Sequence, residues 1–263
     1  VITGQPGSLV FINNVRHGAT DEKGELDLPR AMAGNYPARV RTVGYADWTG
    51  AVVIAAGSSR TLRTTQQPTS DEPTLHHQRG DALRDAGKNK DAIEEYKKAL
   101  ALRPSVPEVL IAMARSLITL QDFQDGEKQI QAALKMGGRT LVEAQTLLAN
   151  LRRNQGLVDE SILEYRKALR LAGGNSFEAH IGLAIALNEQ GSVDEAAREY
   201  RIGIFQDMET EPILYYQLGE ILEKANRNKE AIEAYRNYLR LDPEGEYASA
   251  VESVIEQLKE TSK

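Results

Sequence analysis

The stretch Ala92-Ile93-Glu94-Glu95-Tyr96-Lys97-Lys98-Ala99 decides how the chain is read, because its skeleton returns. The skeleton is a small residue, an aromatic four later, and a small residue three after that. It recurs 34 residues on as Gly126, Ile130 and Ala133, and then at steps of 35 as Ser161, Tyr165, Ala168, as Ala196, Tyr200, Gly203, and as Ala231, Tyr235, Tyr238. Spacings of four and three put each triplet on one helix face. A second series of small residues runs ahead of the triplets: Gly80, Ala114, Ala149, Ala184 and Gly219. Between the two series stand Gly87, Gln121, Gly156, Gly191 and Asn226. This is the pattern of stacked helical hairpins. Small residues on both helices let the backbones approach, the aromatic fills the gap, and glycine permits the tight turn between them.

The pattern resembles the tetratricopeptide repeat (TPR) family, which has a small residue at position 8, often Gly at 15, Ala at 20, an aromatic at 24, Ala at 27 and Pro at 32. Pro104 and Pro243 fill the last position in the first and fifth repeats; Gly137-Gly138, Gly173-Gly174 and Glu209 stand there in the others. On that alignment residues 73–244 hold five repeats, at 73–106, 107–140, 142–175, 177–210 and 212–244. Residues 245–263 read as a capping helix and tail, with Tyr247, Val251, Val254, Ile255 and Leu258 on one face. Ser192-Val193-Asp194-Glu195 reads as a capping box opening the second helix of the fourth repeat.

Residues 1–66 follow a different pattern. Short apolar runs (Leu9-Val10-Phe11-Ile12, Val40 with Val43, Val52-Val53-Ile54) are separated by turn signals at Asn13-Asn14, Lys23-Gly24, Gly34-Asn35, Gly44 and Gly57-Ser58. They predict strands near 8–12, 25–28, 36–43, 50–55 and 59–64, hence a small antiparallel β-sandwich, with 67–72 as a linker. The segments Gly7 to Asn13, Gly18-Ala19-Thr20, Gly34-Asn35-Tyr36 and Val40 to Tyr45 resemble the PEGA domain. Thr20-Asp21-Glu22-Lys23-Gly24-Glu25-Leu26 is similar to the hairpin of carboxypeptidase-regulatory-like domains. Both resemblances imply a structural β domain of bacterial envelope or extracellular proteins. The expected architecture is therefore α+β and multidomain: a β-sandwich followed by an all-α TPR superhelix, an α–α solenoid.

Composition narrows the function classes. The 263 residues contain no Cys, which excludes disulfides, thiolate metal sites and cysteine nucleophiles. Residues 1–70 carry seven Lys/Arg and five Asp/Glu, whereas residues 71–263 carry 25 and 33. An acidic main body argues against binding a phosphate backbone or an anionic membrane face. The longest apolar run, Ala51 to Ala56, is far below the roughly 20 residues that span a bilayer. Adjacent His76 and His77 diverge on a helix, and no phosphate loop, HExxH or GxSxG pattern occurs. The sequence predicts no catalytic residues, no metal and no cofactor. The chain begins at Val1, so a fragment or processed form is expected.

The TPR resemblance implies a concave groove lined by the first helix of each repeat, at positions 2, 5, 9 and 12. These are His77, Asp81 and Arg84; Ile111, Arg115 and Ile118; Thr146, Asn150 and Arg153; Ile181, Ile185 and Asn188; Tyr216, Glu220 and Glu223. The family's chaperone-tail clamp is absent, since its positions hold His77, Asp81, Ala112, Glu143 and Leu147. The expected function is a non-catalytic scaffold that binds a peptide, helix or subunit in the groove. The expected setting is a bacterial envelope or periplasmic assembly, with a cytoplasmic setting as the alternative. Two other readings stay open: the linker, the β domain or the chain's own end fills the groove, or the chain is the regulatory portion of a larger enzyme, a kinase or peptidase, whose catalytic domain precedes residue 1.

Overall fold

The structure, a computed structural model, describes residues 1–13, 15–28, 33–207 and 211–261. Asn14 of the first expected turn and Glu209 of the fourth repeat lie outside them. Among the described residues four antiparallel strands, β1 (Leu9–Ile12), β2 (Val15–Ala19), β3 (Gly34–Arg41) and β4 (Trp48–Ile54), form one sheet in the order β2-β1-β3-β4. Alternation puts Val10, Ile12, Ala38, Val40 and Val52 on the buried side, with Val10 opposite Val40.

The small antiparallel β domain ahead of the helical repeats is as expected, but its strands differ in part from those expected. Strand β2 carries Arg16 and His17, which show no apolar alternation, yet β1 recruits it through a register shift between Val10 and Phe11. The stretches expected as strands at 25–28 and 59–64 contribute single bridges, Ile2 to Glu25 and Ile2 to Arg63. Ile2 pairs with both segments, and the described residues hold one four-stranded sheet.

Eleven α-helices follow among the described residues: α1 (Glu72–Asp85), α2 (Asn89–Leu102), α3 (Pro107–Thr119), α4 (Phe123–Met136), α5 (Leu141–Asn154), α6 (Val158–Leu171), α7 (Phe177–Gln190), α8 (Val193–Gln206), α9 (Pro212–Lys224), α10 (Asn228–Leu241) and α11 (Ala248–Thr261). Asp71 caps α1 by accepting from the Thr74 amide at 3.1 Å, and Pro73 sits in that first turn, where a missing N–H costs nothing. The capping box expected at Ser192 does not form. Its hydroxyl donates instead to Gln190 Oε1 at 3.1 Å, and no side chain caps α8. The turn position is left-handed in all five hairpins, with φ of 75° at Gly87, 78° at Gly156 and 89° at Gly191. Gln121 at 62° and Asn226 at 57° accept the same conformation without glycine's freedom.

The chain divides into two compact units, residues 1–155 and 156–263, so the boundary falls between α5 and α6. In the first unit, Tyr96, Ala92 and Ala99 of α2 pack with Val109, Ala112 and Met113 of α3. Further along, Ile111, Ala114 and Ile118 pack with Ile130 and with Ala144, Leu147, Leu148 and Leu151. In the second unit the small-residue series works as the sequence predicts: Ala184, Ala196, Ala197 and Ala231 are buried, and Tyr165, Tyr200 and Tyr235 fill the space beside them. Helix α11 buries Val251, Ile255 and Leu258. Among the described residues no helix is long and apolar enough to cross a membrane.

Candidate functional site

In the first unit the first helix pair holds the sheet. Gln78 of α1 is buried, and its amide grips the turn after β3 from both sides. The Gly44 amide donates to Gln78 Oε1 at 2.9 Å, and Gln78 Nε2 donates to the Tyr45 carbonyl at 2.8 Å. One helical turn on, Asp81 accepts from Arg41 of β3 at 2.5 Å, from Arg84 at 3.0 Å and from the Tyr96 hydroxyl at 2.8 Å. Arg41 is held in place by Asp47, and Arg16 of β2 reaches Asp85 at 3.1 Å. The stretch expected as a linker is bound as well: Ala46 donates to the Gln67 carbonyl, and Thr69 to the Gly44 carbonyl, at 2.8 and 2.9 Å.

Burial opposes ionisation of Asp81, but His77, Arg84, Arg41 and the Tyr96 hydrogen bond outweigh it and hold the carboxyl below its usual range. The same burial pushes the His77 imidazole down. It also pushes the Tyr96 phenol up, as does Asp81, so Tyr96 remains a donor.

The expected groove positions of this unit divide accordingly. His77, Asp81 and Arg84 come together in that network, and His77 lies edge-on to the Tyr96 ring with centroids 6.0 Å apart. Ile111, Ile118 and Thr146 are buried, which corrects their reading as exposed steps of a groove. The two isoleucines belong to the core shared with α4 and α5, and Thr146 turns its hydroxyl back to the Val142 carbonyl at 2.9 Å. Arg115 reaches Glu143 at 3.2 Å as a surface pair, and Asn150 and Arg153 are half-buried. The residue that sequence reasoning missed is Gln78, whose signal was a polar residue beside the close-packing Gly80.

In the second unit Ile181, Ile185 and Asn188 of α7 and Tyr216, Glu220 and Glu223 of α9 are all half-buried. Ile181 leans on α8, in the space a Cβ on Gly203 would need. Tyr216 stacks on Tyr247 with centroids 4.4 Å apart and lies 6.1 Å from the Tyr235 ring, whose hydroxyl donates to Glu223 at 2.7 Å.

His180 of α7 is buried between two acceptors, Glu199 Oε2 at 2.5 Å from Nδ1 and the Gly174 carbonyl at 2.9 Å from Nε2. Two acceptors require two N–H groups, hence the imidazolium. Burial lowers its pKa, and the bonds to Glu199 and Gly174 more than restore it, so the net direction is upward. A raised folded pKa stabilises fully below the ordinary histidine value and is lost as pH rises through the folded value. The second unit is therefore expected to unfold at lower temperature at pH 8.5 than at pH 6, and His180→Asn to flatten that dependence. Calorimetry of both proteins across this range checks it.

The sequence family follows from comparison. A TPR repeat profile matches residues 80–116, and a tetratricopeptide repeat profile matches residues 111–176, 146–209 and 181–246, more than half the chain. The chain belongs to the tetratricopeptide repeat family. Proteins of this family are in general protein-interaction scaffolds. The matches begin at residue 80, so the small sheet of this TPR protein lies outside them.

No curated protein matches the chain by sequence. Among solved structures, PilW, a widely conserved type IV pilus biogenesis factor, is 13% identical, covering 73% of this chain and 93% of that chain with a TM-score of 0.60. PilF of Pseudomonas aeruginosa is 13% identical, covering 72% and 89% with a TM-score of 0.59. A thermophilic TPR protein of Thermus thermophilus, TTC0263, is 19% identical, covering 70% and 98% with a TM-score of 0.54. At these identities the likeness is one of fold.

Proposed function

We propose that this TPR protein is a non-catalytic scaffold that binds a peptide, helix or subunit on the first helices of its second unit, at Ile181, Ile185, Asn188, Tyr216, Glu220 and Glu223. One observation carries the choice of unit. The sheet already engages the equivalent surface of the first helix pair through Arg41, Asp81 and Gln78. A bound side chain there must displace a buried ion pair and the two hydrogen bonds of the Gln78 side chain, whereas the half-buried residues of α7 and α9 retain exposed area. A preformed helical surface of this kind binds with little ordering cost. The sheet acts as a built-in cover for the first pair. We further assign the protein to a bacterial envelope assembly. The PEGA-like segments of residues 7–64 support this, as does the fold shared with a type IV pilus biogenesis factor.

The test is a pull-down from an envelope fraction with the full chain, with Ile185→Glu and Arg115→Glu beside it. Ile185→Glu is expected to cut recovery of the partner at least about tenfold, as a carboxylate replacing an apolar contact does. Its helical circular dichroism should stay unchanged, and Arg115→Glu should bind as the parent does. Loss in Arg115→Glu alone would move the site to the first unit.

A further inference from the structure

The fifth repeat repeats the chemistry with which the first repeat holds an arginine. In the first repeat the close-packing glycine is Gly80, whose missing Cβ leaves room for the Tyr96 ring; in the fifth it is Gly219, beside Tyr235. In the first, Tyr96 donates to the carboxylate of Asp81 at 2.8 Å; in the fifth, Tyr235 donates to the carboxylate of Glu223 at 2.7 Å. In the first, a second ring, His77, stands 6.0 Å from Tyr96; in the fifth, Tyr216 stands 6.1 Å from Tyr235. The first carboxylate faces the guanidinium of Arg41.

The fifth repeat differs in two respects. Where the first has its own cation, Arg84, the fifth has Glu223, and Glu220 occupies the place of Asp81. Among the described residues no Lys or Arg forms an ion pair with Glu220 or Glu223. Both carboxylates already accept a phenol, Glu220 from Tyr216 and Glu223 from Tyr235, as Asp81 does from Tyr96, and the Tyr216 ring stacks on Tyr247 at 4.4 Å. The surrounding unit is strongly acidic: residues 156–263 carry 12 Lys/Arg and 21 Asp/Glu.

We propose that the Tyr216, Glu220 and Glu223 face of α9 is an arginine-recognition site for an extended segment of a partner protein, equivalent to the contact that Arg41 makes with Asp81 inside the chain. The inference rests on the second unit being the binding surface and names what that surface reads. Guanidinium is the fitting group rather than ammonium. Its planar fork donates to carboxylates in a fixed geometry, two N–H groups at a time, whereas an ammonium is a compact point charge without that geometry.

The experiment is a titration of the isotope-labelled full chain, followed by amide correlation spectra. The probe is the capped peptide Gly-Ser-Arg-Gly-Arg-Ser-Gly, and its control has citrulline in place of both arginines, the same shape without the charge. The expected result is a shift of the α9 and Tyr247 signals with the arginine peptide. Citrulline should bind at least about tenfold more weakly, and so should the arginine peptide to a Glu220→Gln, Glu223→Gln variant whose amide dispersion shows it folded.

Equal binding of both peptides, or equal binding to parent and variant, overturns the proposal. So does the absence of α9 shifts at about 5 mM peptide, where a millimolar Kd would fill most sites. Signals of α9 that sharpen on dilution would show a second copy as the occupant, and would overturn it too. If the peptide fails while partner capture still depends on Ile185, the scaffold reading stands and the arginine site falls. If the peptide binds α9 while capture ignores Ile185, the arginine site stands and the wider groove falls.

Discussion

Asp81→Asn is expected to loosen the sheet from the first helix pair and to destabilise the first unit by about 2–3 kcal/mol. Asparagine keeps the size and can still accept from Tyr96, but it removes the charge that Arg41 and Arg84 share. Removing one partner of a fully buried pair costs about 3–5 kcal/mol, and here the two arginines keep part of their hydration, which places the effect below that range. The loss should be local. Trp48, the single tryptophan, lies on β4 and reports the sheet, while far-ultraviolet circular dichroism reports the helices. The Gly44 amide, bonded to Gln78, should exchange with solvent faster in the variant. Unchanged Gly44 protection would mean that the segment 66–69, hydrogen-bonded along the turn at 42–46, holds the sheet without Asp81. The pH dependence has a definite sign. The Asp81 carboxyl is held below its ordinary pKa, so its contribution is present above the ordinary carboxylate range and is lost as pH falls through the lowered value. The variant should lack that acid-dependent part.

The helical half of the chain was legible because it is built from local, repeated constraints. A triplet at spacings of four and three fixes a face, and its return at 34 or 35 residues fixes the stacking. Even the second repeat, with Gly126 and Ile130 in place of Ala and an aromatic, folds to the same plan, since both are buried against α3. The sheet was less legible because its pairing is non-local. Val15-Arg16-His17-Gly18-Ala19 has no period of its own and becomes a strand only through β1. The site shows the same division. Positions on α1, α7 and α9 were found by counting along the repeat, but counting says nothing of what packs above a position. Ile111 and Ile118 look like steps of a groove from their numbers alone; their neighbours Ile130, Leu147 and Leu151 enclose them. That Asp81 is already spent on Arg41, 40 residues upstream, is a tertiary fact with no signature in either segment.

Gly219→Ala is expected to cost about 2 kcal/mol, although alanine is the better helix former. A Cβ at this position would stand 2.5, 2.6 and 2.9 Å from three atoms of the Tyr235 ring, distances at which something must move. The ring is poorly placed to move. It is buried, its hydroxyl is bonded to Glu223, and Tyr216 lies against it on another side. Overpacking of this kind costs about 1–3 kcal/mol, and the gain from helix propensity returns only about 1 kcal/mol. With a pinned ring the upper part of the first range applies. The second repeat shows one compatible pair, Ala114 with Ile130; the third and fourth keep alanine with tyrosine, Ala149 with Tyr165 and Ala184 with Tyr200, and in the third the Tyr165 ring fills the space beside Gly182 instead. Tyr235→Ile in the Gly219→Ala background should therefore recover part of the loss, although the same change alone removes the bond to Glu223 and is destabilising. A double-mutant cycle by chemical denaturation measures the coupling directly. A positive coupling of about 1 kcal/mol or more is expected if the clash between Cβ and ring is the cause. Additive losses would instead place the strain in the α9 backbone, and the close approach of α9 to α10 would then not depend on glycine at position 219.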